Sequence, residues 1–121
     1  MSKYALLLLT EPGSHEAMAR AYHALSYATD LQQNGFEAQI IFDGGGTAWL
    51  QEFAKADHPL RKLFESTKQK GLIGGYCPMC ADSFKVDRKI AAELKIKELD
   101  EYNRNPSVGK LARDGFHLIT I

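Results

Sequence analysis

Four short apolar runs, KYALLLLT, FEAQIIF, LIGGY and FHLITI, punctuate the chain, and the segments between them carry helical period instead of strand alternation. Near-unbroken apolar runs of this length, bounded by turn residues, read as strands covered on both faces in a parallel sheet. Between the first two, Ser14 can cap a helix whose apolar face is Met18, Ala21, Tyr22, Leu25, Ala28 and Leu31, closed by Gly35. TAWLQEFAKAD opens a second helix with Trp49, Leu50, Phe53 and Ala54 inward. Pro59 interrupts it, because proline has no amide hydrogen and disfavours helical geometry in the residue before it. PLRKLFESTKQKG restarts the helix, PMCADSF begins another after LIGGY, and Val86, Ile90 and Leu94 continue the period. Ile96 can open a short further strand, and PSVGKLARDG is a brief helix closed by Gly115. Such alternation predicts an α/β fold, a parallel sheet flanked by helices.

No linker or repeat divides the chain, and 121 residues with 45% hydrophobic content suit one domain spanning 1–121. Fifteen basic residues balance fifteen acidic ones, so the positive field on which nucleic-acid or anionic-membrane binding relies is missing. Neither partner is expected. MSKYALLLLTEPG is too brief for a membrane span and lacks a small-residue cleavage site, so the expected location is cytoplasmic.

In a reducing compartment a CxxC pair points to catalysis or metal binding before a structural disulfide. Cys77 and Cys80 are the two cysteines of the chain and sit where LIGGY hands over to a helix. With Cys77 at the N-cap and Pro78 in the first helical position, both sulfurs fall in the first turn, where amide hydrogens and the helix dipole favour a thiolate. A lowered Cys77 pKa and an exposed sulfur are the expectation. Structural zinc takes four ligands, no second cysteine pair is present, and His15, His23, His58 and His117 are scattered, so no metal is expected.

In parallel sheets ligands sit beyond the carboxyl ends of the strands. Three loops should therefore meet at one rim: TEPGSHE, DGGGT and YCPMC. Ser14, Gly44, Gly45 and Pro78 are expected to wall the site, and His15 to serve the thiolate as an acid–base neighbour. The DGGGT turn fits neither GxGxxG nor the Walker pattern, so no cofactor is expected. Its glycines read as a tight turn with Thr47 as cap.

CPMC is similar to the glutaredoxin dithiol, but that motif follows the first strand of its fold, whereas two strand–helix units precede it here. With the cysteine loop at the third strand, the chain instead resembles the DsrE/DsrF-like family of sulfur-relay proteins, which includes TusD. NGFEAQIIFDGGGTAWL, the HPL segment, GLIGGYCPMC and NPSVGKLARDGFHLITI fall in the family's order. The resemblance implies a three-layer α/β/α fold with a five-stranded parallel sheet, flavodoxin-like in general architecture. It also implies a homo-oligomer, trimer or hexamer, and a Cys77 that carries sulfur as a persulfide. Many relatives have a lone cysteine at that position; Cys80 adds a resolving neighbour able to release hydrosulfide and leave a disulfide.

The expected function is thus a sulfurtransferase or sulfur carrier in which Cys77 accepts sulfane sulfur and passes it to an acceptor thiol. Its partners would be donor and acceptor proteins or small persulfides. Two alternatives use the same residues: a CxxC dithiol–disulfide oxidoreductase, and a non-catalytic binding or assembly module whose cysteines are packing residues.

Overall fold

The structure, a computed structural model, describes residues 2–121. Four parallel strands, β1 (Lys3–Leu8), β2 (Glu37–Phe42), β3 (Ile73–Tyr76) and β4 (Phe116–Thr120), lie in the order β3-β2-β1-β4. Six helices connect them: α1 (His15–Gln33), α2 (Trp49–Phe53), α3 (Arg61–Gln69), α4 (Pro78–Ser83), α5 (Arg88–Glu93) and α6 (Val108–Arg113). The α/β fold with a parallel sheet therefore stands, but the sheet has four strands, not five.

The expected fifth strand shrinks to one bridge. Tyr76 N–H donates to Lys97 O at 3.0 Å and Leu99 N–H to Tyr76 O at 2.8 Å, pairing Tyr76 with Glu98. Gly75 explains why the pairing stops there. Gly75 has φ +150°, and a Cβ on it would lie 2.7 Å from both Lys97 O and the Leu99 side chain, so the neighbour presses against bare backbone instead of running alongside it. A register shift between Ile40 and Ile41 further breaks the regularity on the β2 side of β3.

Helix α1 begins as the sequence indicates, with Ser14 Oγ accepting from Ala17 N–H at 3.0 Å. Its buried face is Ala17, Ala21, Ala24, Leu25 and Ala28. Tyr22, expected inward, is 44% exposed, because the alanine stripe is what seats the helix closely on the sheet. The main core joins α1 to Leu6, Leu8, Ile40 and Phe42 of the sheet and to Trp49, Leu50, Phe53 and Phe64. Phe53 stacks between Trp49 and Phe64 at centroid distances of 5.5 and 4.7 Å. His58 packs its ring edge against Trp49 and Phe53, and its Nδ1 accepts from Leu60 N–H at 3.0 Å. The HPL segment thus turns the chain between α2 and α3.

The opposite sheet face carries a smaller cluster of Ala5, Leu7, Ile41 and Leu111, the last from α6. Strand β4 is an edge, with His117, Leu118 and Thr120 exposed. None of the described helices is long and apolar enough to cross a membrane.

Candidate dithiol site

The strands deliver their carboxyl ends to one rim, and adjacent backbone bonds lock two of the loops there. Asp43 N–H donates to Leu8 O at 3.0 Å, and Cys77 N–H donates to Phe42 O at 2.9 Å. Asp43 and Cys77 therefore leave neighbouring strands side by side. After Asp43 the chain makes a 3-10 turn, Gly44–Ala48, capped by the Asp43 carboxylate, whose Oδ1 accepts from Gly44 N–H at 2.9 Å. Asp43, not Thr47, is the cap; the buried Thr47 hydroxyl donates to Gly44 O at 2.8 Å and closes the turn from inside.

The glycines of this turn answer to packing. A Cβ on Gly46 would lie 1.8 Å from Leu8 O, and one on Gly45 would lie 2.8 Å from Glu11 Cβ. The turn packs closely against the first loop and contacts α4. Gly44 and Gly45 themselves face Leu9 and Glu11 of the first loop, while the 3-10 turn as a whole packs on α4.

Cys77 is the N-cap of α4 and Pro78 its first residue, the local arrangement read from the sequence. Both thiols are free. Cys80 N–H donates to Cys77 Sγ at 3.3 Å, and the Cys80 thiol reaches Asp43 Oδ1 at 3.6 Å. The two sulfurs and a carboxylate oxygen of Asp43 all lie within 4.8 Å of one another.

Cys77 departs from expectation. Its residue is 0% exposed, while Cys80 is partly exposed. Its thiol donates to Asn105 Oδ1 at 3.2 Å, with Arg104 O at 3.7 Å. Both belong to a tight turn in which Tyr102 pairs with Asn105, and Asn103 and Arg104 have φ of 48° and 65°, the left-handed pair of a two-residue hairpin. Asn105 Nδ2 donates to Asn103 O at 3.2 Å, which aims the amide oxygen at the sulfur.

Burial, with smaller contributions from the Cys80 thiol and the Asp43 carboxylate, pushes the Cys77 thiol from 9.0 up to about 12. The single Cys80 amide that lowers it does not compensate. Helix α4 has only six residues, so its dipole is short, and desolvation wins over it. Cys77 is therefore a sealed, neutral thiol with polar neighbours, and the solvent-facing anion expected at this position is not formed here.

His15 lies elsewhere on the rim. With Ser14, Trp49 and Glu52 it lines a cleft that contains neither cysteine. Trp49 Nε1 donates to Thr10 O at 2.8 Å and ties this loop to the second one. Asp43 is the residue that sequence reading missed. It stands 34 positions before Cys77, and its proximity comes only from β2 and β3 being neighbours.

No protein-family model matches the chain. An uncharacterized protein of Methanocaldococcus jannaschii is 28% identical over 99 residues, covering 82% of this chain and 78% of that relative. Among solved structures, a conserved protein of unknown function from Bacteroides thetaiotaomicron superposes with a TM-score of 0.58 at 18% identity. It covers 97% of this chain and 94% of its own. That likeness shows a shared fold.

Proposed function

We propose that the chain is a small cytoplasmic sulfur-transfer protein of the DsrE type, working through the Cys77–Cys80 pair, with Cys80 as the thiol that meets the donor. The observation that carries this reading is two free thiols within 4.8 Å at the carboxyl rim of a parallel sheet, one sealed and one within reach of solvent. A donor persulfide cannot touch Cys77 beneath the 102–105 hairpin, but it can meet Cys80.

The Cys80 thiolate attacks the outer sulfur of a persulfide R–S–SH; a Cys80–S–SH bond forms and R–S⁻ leaves. An acceptor thiolate then attacks that outer sulfur, takes it as its own persulfide and returns Cys80 as thiolate. This is thiol–disulfide exchange with one partner replaced by a persulfide. If Cys77 attacks the inner sulfur instead, a Cys77–Cys80 disulfide forms, hydrosulfide leaves, and a thiol reductant must restore the pair. Asp43 takes the hydrogen bond of the Cys80 thiol at rest, the acid–base position the sequence assigned to His15. Assembly into a trimer or hexamer would cover edge strand β4.

The spacing of the sulfurs equally favours a dithiol–disulfide oxidoreductase, and intact mass separates the two. Reduced protein is incubated with glutathione persulfide and weighed. Gain of one sulfur atom, abolished in Cys80→Ser, is expected. Cys77→Ser, which cannot close the internal disulfide, is weighed in parallel: sulfur gained there supports transfer, loss of two hydrogens in the unmutated chain with no sulfur gained by Cys77→Ser supports the oxidoreductase, and no mass change in either leaves the thiols as packing residues.

A further inference from the structure

We propose that Cys77 Sγ, Cys80 Sγ and the Asp43 carboxylate form a binding site for a thiophilic divalent cation of the zinc class, with the fourth position open to water or an incoming thiol. This goes beyond sulfur transfer and does not rest on it. Two thiolates and a carboxylate suit zinc and exclude magnesium or calcium, which take oxygen ligands. Three protein ligands with an open fourth position are the pattern of reactive zinc sites.

The distances fit with little movement. Zinc–sulfur bonds of about 2.3 Å and zinc–oxygen bonds of about 2.0 Å at tetrahedral angles place sulfur and oxygen about 3.5 Å apart, and two sulfurs about 3.8 Å apart. Cys80 Sγ and Asp43 Oδ1 are 3.6 Å apart, and all three donors lie within 4.8 Å. The donors are also held from behind. Backbone bonds fix Asp43 to β1 and Cys77 to β2, Gly44 N–H orients the carboxylate, and Cys80 N–H orients the Cys77 sulfur. Three groups that repel once ionised converge at one point, and a dication reverses that sign. Binding would release both thiol protons to solvent, and forming a disulfide would expel the metal.

Cobalt(II) is the probe. Titrated into the reduced, metal-free full chain without oxygen, it should give a sulfur-to-cobalt charge-transfer band saturating at one equivalent and erased by zinc. Cys77→Ser and Cys80→Ser should each lower the band. Asp43→Asn, which keeps the cap of the 3-10 turn, should weaken binding by at least the roughly tenfold that even an outer partner of a metal ligand costs. Circular dichroism checks that each variant folds. In the unmutated chain, one equivalent of zinc should slow alkylation of Cys80. Absence of the band, unaltered affinity in Asp43→Asn, or alkylation indifferent to zinc would each overturn the site. Sulfane loading is measured on metal-free protein, so the two ideas fail separately.

Discussion

The Arg104 guanidinium is held by the Asp82 carboxylate, and this ion pair clips the 102–105 hairpin onto the helix that carries both cysteines. The pairing holds the Asp82 carboxyl below its ordinary value. Arg88, 3.6 Å from Asp82 and 3.2 Å from Glu98, braces the same carboxylate from the other side. Arg104 O accepts from Met79 N–H at 3.2 Å, so backbone and side chain of one residue fasten the cover over Cys77.

Thiol reactivity should follow that cover. Iodoacetamide is expected to modify Cys80 well before Cys77 in the folded chain, since one is partly exposed and the other 0% exposed. Arg104→Ala should speed modification of Cys77 severalfold and leave Cys80 nearly unchanged, as read by peptide mass after timed quenching. An unaltered Cys77 rate would mean that the hairpin does not gate it.

Alkaline stability should also report on Cys77. Its folded-state pKa is raised, so its contribution is fully present below the unfolded-state value and is lost as pH climbs toward about 12. The unfolded chain gives up this proton first, near the ordinary value of 9.0, so unfolded chains bind fewer protons across that window and stability falls with rising pH. Denaturant midpoints of the native chain should decline more steeply from about pH 8 to about pH 11 than those of Cys77→Ser. Parallel declines would show that burial does not hold the proton on this sulfur.

Gly46→Ala tests the seat of the 3-10 turn. The added Cβ would sit 1.8 Å from Leu8 O, and a strand backbone cannot yield to it. The expected loss is well above the about 1 kcal/mol typical of point substitutions. Chemical denaturation measures it, and a loss within a few tenths would show that the turn relaxes freely. Asp43 caps the turn, so Cys80 reactivity should change in the same variant.

Strand and helix identities were readable because each depends on local chemistry. Unbroken apolar runs, Ser14 as a cap and Gly115 with φ +92° each act within a few residues, whereas α2 ends at Phe53, before Pro59 can break it, and Pro59 falls in the turn that leads into α3. The seating of Cys77 and Pro78 at the start of α4 was readable for the same reason. Tyr22 was misplaced because helical period marks a face without marking its edges, and α1 seats on the sheet through its alanines and Leu25, which leaves Tyr22 outside.

What the chain's order of residues determined by itself was an alternating α/β fold with two thiols at a strand-to-helix junction. Tertiary structure decided what surrounds those thiols. Strand order brought Asp43 to Cys80, the clip between Asp82 and Arg104 laid Asn105 over Cys77, and Gly75 of β3 cut a fifth strand to one bridge. Burial and charge at a sulfur are sums over groups distant in sequence, and no local pattern encodes which of them the folded sheet will bring within a few ångströms.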